Sequence, residues 1–201
     1  MKRSFMMCVL ALMLGSTVNA EECHPFYVGA SGGLALLQNQ GDAMGAVEYD
    51  AGLAFSTFLG WNEGPGRLEF EYSRFNNEVN SIGGVNATSG NVDVSTIMMN
   101  GYLDLPITSR ITGYIGGGLG VAQSQLNSLQ VGGNEGQATS DVVLAYQAKV
   151  GASMAITQRA DIFAGYRFLG TEKGTVVLYD FGHFADQIHL HSLETGLRFK
   201  F

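Results

Sequence analysis

Four side chains near the carboxyl end could do nucleophilic chemistry: His189, His191, Ser192 and Glu194. A hydroxyl, an imidazole and a carboxylate form a hydrolytic triad when the imidazole bridges the other two. The spacing argues against it. Successive side chains of a strand point to opposite faces, so the two histidines share one face and Ser192 shares the other with Glu194. An H-x-H pair does aim both rings the same way, which suits a metal. His183 and Asp186 are the only nearby candidates for further ligands, and histidines at a rim are more often plain interfacial residues, so no metal is assigned. A third cluster is Gly113, Gly116, Gly117, Gly118 and Gly120. Its spacing is neither G-x-G-x-x-G nor a Walker pattern, so no phosphate loop is expected. Glycine in a strand marks close approach of a neighbour or a bend, and Tyr27 or Tyr114 could cover such glycines from an adjacent strand. The sequence therefore predicts no catalytic residue and no cofactor.

The elements that carry these residues follow from composition and period. The chain has 201 residues with 14% charged, 28 glycines, 3 prolines and a formal charge of -7. An acidic chain of this kind lacks the basic face that nucleic-acid binding requires. Lys2 and Arg3, an apolar run over 5–14 and the small residues Val18 and Ala20 read as a secretory signal. Cleavage after Ala20 leaves residues 21–201, with 9 basic and 18 acidic residues and a charge of -9. Cys8 leaves with the signal. Cys23 remains alone, which excludes an internal disulfide.

Beyond residue 20 no window is long and apolar enough for a spanning helix, and the ordered segments alternate at a period of two. Eight are counted: 26–37, 49–61, 67–75, 92–105, 110–123, 142–155, 161–170 and 188–201. The links between them alternate in length. Those at 38–48, 76–91, 124–141 and 171–187 are long, and those at 62–66, 106–109 and 156–160 are short. Within a bilayer every backbone donor and acceptor must be satisfied internally, so only helices and closed barrels span it. The pattern predicts an all-β fold: an eight-stranded antiparallel up-and-down transmembrane β-barrel, with short periplasmic turns and longer extracellular loops.

In such a barrel the apolar face meets lipid and the polar face meets the lumen. Alternation places Arg67, Glu69, Glu71, Lys149, Arg167, Glu194, Arg198 and Lys200 inward. These are three carboxylates against five cations, and in a narrow lumen they must pair across it, because an unpaired buried charge is severely costly. Phe26, Trp61, Tyr102, Phe199 and Phe201 lie at strand ends, as the aromatic girdles at membrane interfaces do. The outer loops carry Asp42, Glu48, Glu78, Asp93, Glu135, Asp180 and Asp186 against Lys173. The apolar set Val176, Val177, Leu178, Tyr179 and Phe181 in the last loop predicts a hairpin or lid, with a docking patch for a partner as the alternative.

The ending Leu197-Arg198-Phe199-Lys200-Phe201 resembles the signal that barrel-assembly machinery reads, with Leu197, Phe199 and Phe201 at alternate positions. Four further segments resemble strands of small outer-membrane barrels. They are Phe26-Tyr27-Val28-Gly29-Ala30, Arg67-Leu68-Glu69-Phe70-Glu71-Tyr72, Tyr114-Ile115-Gly116-Gly117-Gly118-Leu119-Gly120 and Gly165-Tyr166-Arg167-Phe168. Together they resemble the family that holds the outer-membrane protein A barrel and the opacity-type surface proteins. The resemblance implies the outer membrane of a Gram-negative cell. The expected partners are outer-membrane lipids, lipopolysaccharide and the assembly machinery, without nucleic acid, for a chain that acts as a monomer. It also implies adhesion or antigenicity through the loops, with a narrow solute channel as the alternative. Peptidoglycan anchoring, which larger members owe to an appended domain, is not carried over.

Overall fold

The computed structural model describes residues 25–37, 41–42, 45–49, 51–82, 85–86, 89–131, 134–139, 142–172, 174–178, 182–186 and 188–201. The signal segment 1–20, Cys23, Tyr179 and Phe181 lie outside them. Eight strands form the wall: β1 (Phe26–Leu37), β2 (Gly52–Glu63), β3 (Gly66–Ile82), β4 (Ser89–Pro106), β5 (Ile111–Val131), β6 (Val143–Ala155), β7 (Ala160–Thr171) and β8 (His189–Lys200). Each pairs antiparallel with its sequence neighbours. β1 also pairs with β8, Ala30 opposite Leu197, so the sheet closes on itself. Closure leaves no unpaired edge, which the bilayer demands. At the end of the seam the Phe201 amide donates to the Phe26 carbonyl at 2.9 Å.

The short links are tight turns. Between β2 and β3, Gly64 takes a φ of +64°, a region that suits glycine. The long links are partly ordered as strand. β3, β4 and β5 run for 17, 18 and 21 residues and so extend well past the wall. Segments expected as loops therefore prove to be hairpin arms: Gly45–Tyr49 pairs with β3, and Asn134–Thr139 pairs with β5. Gly174–Leu178 pairs with Gly182–Asp186, Val176 opposite Phe184, as the apolar content of that link predicted.

Alternation is inverted relative to a soluble domain. Leu53, Phe70, Met99, Leu119, Val150 and Leu193 face outward, each half-exposed or more. Phe26, Trp61, Phe199 and Phe201 are exposed at the periplasmic rim, with Phe26 and Phe201 stacked at 6.4 Å between ring centroids. Tyr102 departs from the expected girdle. It is buried and points inward with Asn100, because side-chain parity, not nearness to a strand end, decides the face.

Candidate functional site: a filled lumen and an outer rim

The lumen is packed in three tiers. The outermost is apolar, built from Ala35, Ala54, Phe75, Val94, Met98, Ala122, Ala145, Leu169 and Leu190. Phe75, Val94, Leu169 and Leu190 are 0% exposed. This corrects the expectation of a lumen lined by polar residues alone. A dry apolar layer has no partner for a hydrated solute.

Beneath it lies a ring of four charges. The Arg167 guanidinium meets Glu194 Oε2 at 2.6 Å and Glu71 Oε1 at 3.2 Å. Lys149 Nζ completes the ring, bonding Glu71 and lying 3.3 Å from Glu194 Oε1. Two cations and two carboxylates thus alternate in a closed circuit joining β3, β6, β7 and β8. Serines complete the shell: Arg167 donates to Ser73 at 2.9 Å and Ser56 at 3.1 Å, and Ser73 donates to Glu71 at 2.9 Å. Gln147 donates to Asn100 at 2.5 Å and to Glu71 at 3.4 Å. Every carboxylate oxygen in the ring therefore has a donor, as buried ion pairs need, while among the described residues the buried Arg167 Nε has no hydrogen-bond partner.

The periplasmic tier combines cations with rings. Arg67 bonds Glu69 at 2.9 Å and Asp104 at 2.8 Å, and its guanidinium lies 4.4 Å from the Tyr102 ring centroid. Tyr27 donates to Glu69 at 2.8 Å. Arg198 lies 5.0 Å from the Tyr27 ring and 3.6 Å from Asp161, and half-buried Lys200 meets Asp161 at 2.8 Å. A cavity of about 10 Å³ is left in this tier, bordered by Arg67, Tyr114 and Arg198. That is room for about one water molecule.

Of the eight inward charges named from the sequence, seven are buried and Lys200 is half-buried. The expected balance changes, however. Asp104 and Asp161 join the lumen, so five cations face five carboxylates. Both stand on the inward parity of their strands but next to turns, where the sequence alone does not tell lumen from solvent. Asp93 also moves. It lies on β4, not in a loop, and accepts from Arg74 at 3.0 Å and Asn76 at 2.7 Å. The cover over the glycine cluster differs from the expectation: Tyr102, from the adjacent strand, lies over Gly116, while the Tyr27 ring lies over Gly60 and the Tyr114 hydroxyl over Gly151 and Gly165.

The would-be catalytic group is divided by the wall. Ser192 is 3% exposed and Glu194 is bound into the ring, both inside, while His189 and His191 stand outside at the outer rim. There the Tyr166 hydroxyl lies 2.6 Å from His191 Nδ1. The Phe168 ring contacts His189 at 5.8 Å and His191 at 5.3 Å, and Tyr146 contacts Phe168 at 6.2 Å. Among the described residues no three potential ligands group around a metal position. The side chains of His183 and Asp186 lie outside the described residues.

Comparison with known proteins agrees with this architecture. Outer membrane protein PagN of Salmonella typhimurium is 30% identical over 126 residues, which are 56% of this chain and 52% of PagN. The chain spans about half the length of that curated relative. The crystal structure of Neisserial surface protein A superposes with a TM-score of 0.65 at 22% identity, covering 88% of this chain and 97% of the other. A major outer membrane protein from Thermus thermophilus gives 0.53 at 11% identity, covering 89% and 100%. The family model described as the outer membrane protein beta-barrel domain matches residues 6–201. A closed antiparallel barrel with an apolar outer wall, matched over nearly its whole length, makes this chain a member of the outer-membrane β-barrel family, resident in the Gram-negative outer membrane.

Proposed function

We propose that this protein is a surface-interaction barrel, a rigid and non-conducting wall that presents its outer hairpins to ligands on other cells. The filled lumen carries the reading. Among the described residues three packed tiers fill the barrel, so the arms of β3, β4 and β5 and the paired strands 174–178 and 182–186 are the surface left to meet a partner. The paired arms are ordered before a partner arrives, which lowers the ordering cost of binding. The names of PagN and Neisserial surface protein A, an outer-membrane and a surface protein, support the same direction. The reading is non-enzymatic, with Ser192 and Glu194 inside the wall and the imidazoles outside it.

The biogenesis we infer begins with export through a cleaved signal at 1–20 and leaves a mature chain of 21–201. Leu197 and Phe199, outward on the last strand, and exposed Phe201 just past its end serve as the signal for the assembly machinery. The barrel then sits as a monomer among outer-leaflet lipids and lipopolysaccharide. Bacteria displaying the intact protein are expected to adhere to cultured epithelial cells above the empty-vector level. Replacing 76–91 and 171–187 with short glycine-serine turns is expected to return adhesion to background while the barrel still migrates as folded. Unchanged adhesion overturns the proposal. Stepwise conductance of the folded mature protein in a planar bilayer would favour a channel instead.

A further inference from the structure

We propose that His189 and His191, fixed by Tyr166 and Phe168 on the outward wall, form a site for the phosphorylated headgroup of an outer-leaflet lipid. The position comes first. β8 begins at His189 on the loop side of the barrel, and the histidines share the outward face with Leu193, 65% exposed, two residues deeper. The imidazoles therefore stand where the apolar wall ends and headgroups begin. Among the described residues the periplasmic rim is built differently, with Phe26, Trp61, Phe199 and Phe201 and no imidazole. A girdle of rings alone needs only the interface. A girdle with two imidazoles on the loop side adds donors that can meet phosphate.

The geometry is fixed. Phe168 stacks on His189 at an interplanar angle of 23° and leans on His191 at 51°, so one ring props both imidazoles. The Tyr166 hydroxyl and His191 Nδ1 share a hydrogen bond at 2.6 Å, which leaves Nε2 to face a ligand. An imidazole N–H that meets the ionised phosphate makes a charge-assisted bond, roughly twice as strong as a neutral one. The facing groups do not compete strongly. On β7 they are Tyr166 and Phe168, with exposed Glu172 just past the strand end; on β6 there is Tyr146; on β1 there are the apolar Leu34 and Leu36. Among the described residues neither histidine is in an ion pair. The site is independent of the adhesive reading, since it uses the wall and not the hairpins.

The test uses the refolded mature protein in a neutral sugar-detergent micelle, with three probes: diphosphorylated lipid A, the same lipid dephosphorylated, and inorganic phosphate. Binding is read by native mass spectrometry and by histidine Cε1 proton shifts in NMR. The intact protein is expected to retain the phosphorylated lipid on the order of tenfold more than the dephosphorylated one. The His189→Gln/His191→Gln variant is expected to lose that preference. Tyr166→Phe, which keeps the ring and frees Nδ1, is expected to weaken it by about threefold and to move the His191 shift. Equal retention of both lipids, or a preference that survives the double substitution in a folded barrel, overturns the proposal. Full displacement by inorganic phosphate overturns the assignment to lipid and leaves a site for the free anion.

Discussion

The outer and central tiers of the lumen lie a few residues apart on the same strands and are held by opposite chemistry. On β3, Phe75 belongs to the dry apolar layer, while Glu71, four residues away, belongs to the ion ring. On β7 a step of two residues separates Leu169 from Arg167. The apolar tier is a sum of local contacts, so each loss stays local. The ring is a circuit in which each charge satisfies two others, so one loss leaves buried charge unpaired. The barrel needs both. The ring fixes which strands face each other across the lumen, and the apolar layer seals it.

The sharpest way to break this contrast is to remove one member of the ring. Glu71→Ala strips Lys149 and Arg167 of a shared partner and is expected to cost about 3–5 kcal/mol, read by guanidinium unfolding from phosphatidylcholine vesicles. Pairing Glu71→Leu with Lys149→Met leaves the 2.6 Å Arg167–Glu194 contact intact. That double variant is expected to return to within about 1–2 kcal/mol of the native protein, because a buried pair replaced whole by apolar groups is often near neutral. A double variant no better than the single would show that the ring is not the coupled unit its geometry describes.

The apolar tier should respond less and differently. Leu169→Ala removes a side chain that is 0% exposed and is expected to cost about 2–4 kcal/mol. It should add to the cost of an apolar change in the periplasmic tier such as Phe58→Leu without coupling. The apolar tier also governs conduction. Neutralising the ring with Glu71→Gln and Arg167→Gln is expected to leave the barrel silent in a planar bilayer, since the apolar layer still excludes hydrated ions. Steps from that variant would move the seal from the apolar tier to the charges.

How far the sequence reaches is clear from particular residues. Alternation located the wall because a two-residue period survives any tilt of the strands. It also put Arg67, Glu71, Lys149, Arg167 and Glu194 inside. Partners were beyond it, because Glu71 meets Lys149 across 78 positions of chain through a register that only closure sets. Phe75, Ala54 and Leu169 were not anticipated as a seal, since an inward apolar residue breaks the expected polar-in pattern without announcing what it packs against. The histidines were legible as a face but not as a platform, because Tyr166 and Phe168 belong to another strand.

A smaller effect belongs to the seam where β1 meets β8. Gly29 and Gly196 leave space there for Phe58 from β2 and Phe163 from β7, whose rings meet edge-on at 5.8 Å across it. Phe163→Leu keeps apolar volume but ends the ring contact, and is expected to cost about 1 kcal/mol. A Gly196→Ala barrel should suffer more, since its Cβ would lie 2.3 Å from the Ala30 carbonyl oxygen and 2.6 Å from the Phe163 ring.

The smallest effect is expected where an ion pair leaves the lumen. Arg74 and Asp93 pair at 3.0 Å, a distance similar to those in the ring, but the Arg74 side chain is 57% exposed on the outward face. Water and headgroups screen it, and Asn76 still donates to Asp93 at 2.7 Å when the arginine is gone. Arg74→Ala is therefore expected to cost less than about 1 kcal/mol and to lose even that in high salt. Glu71→Ala should keep its full cost in the same salt, because its partners are buried. If the two variants responded alike to salt, the ring would be as wet as the rim and the dry-lumen reading would fail.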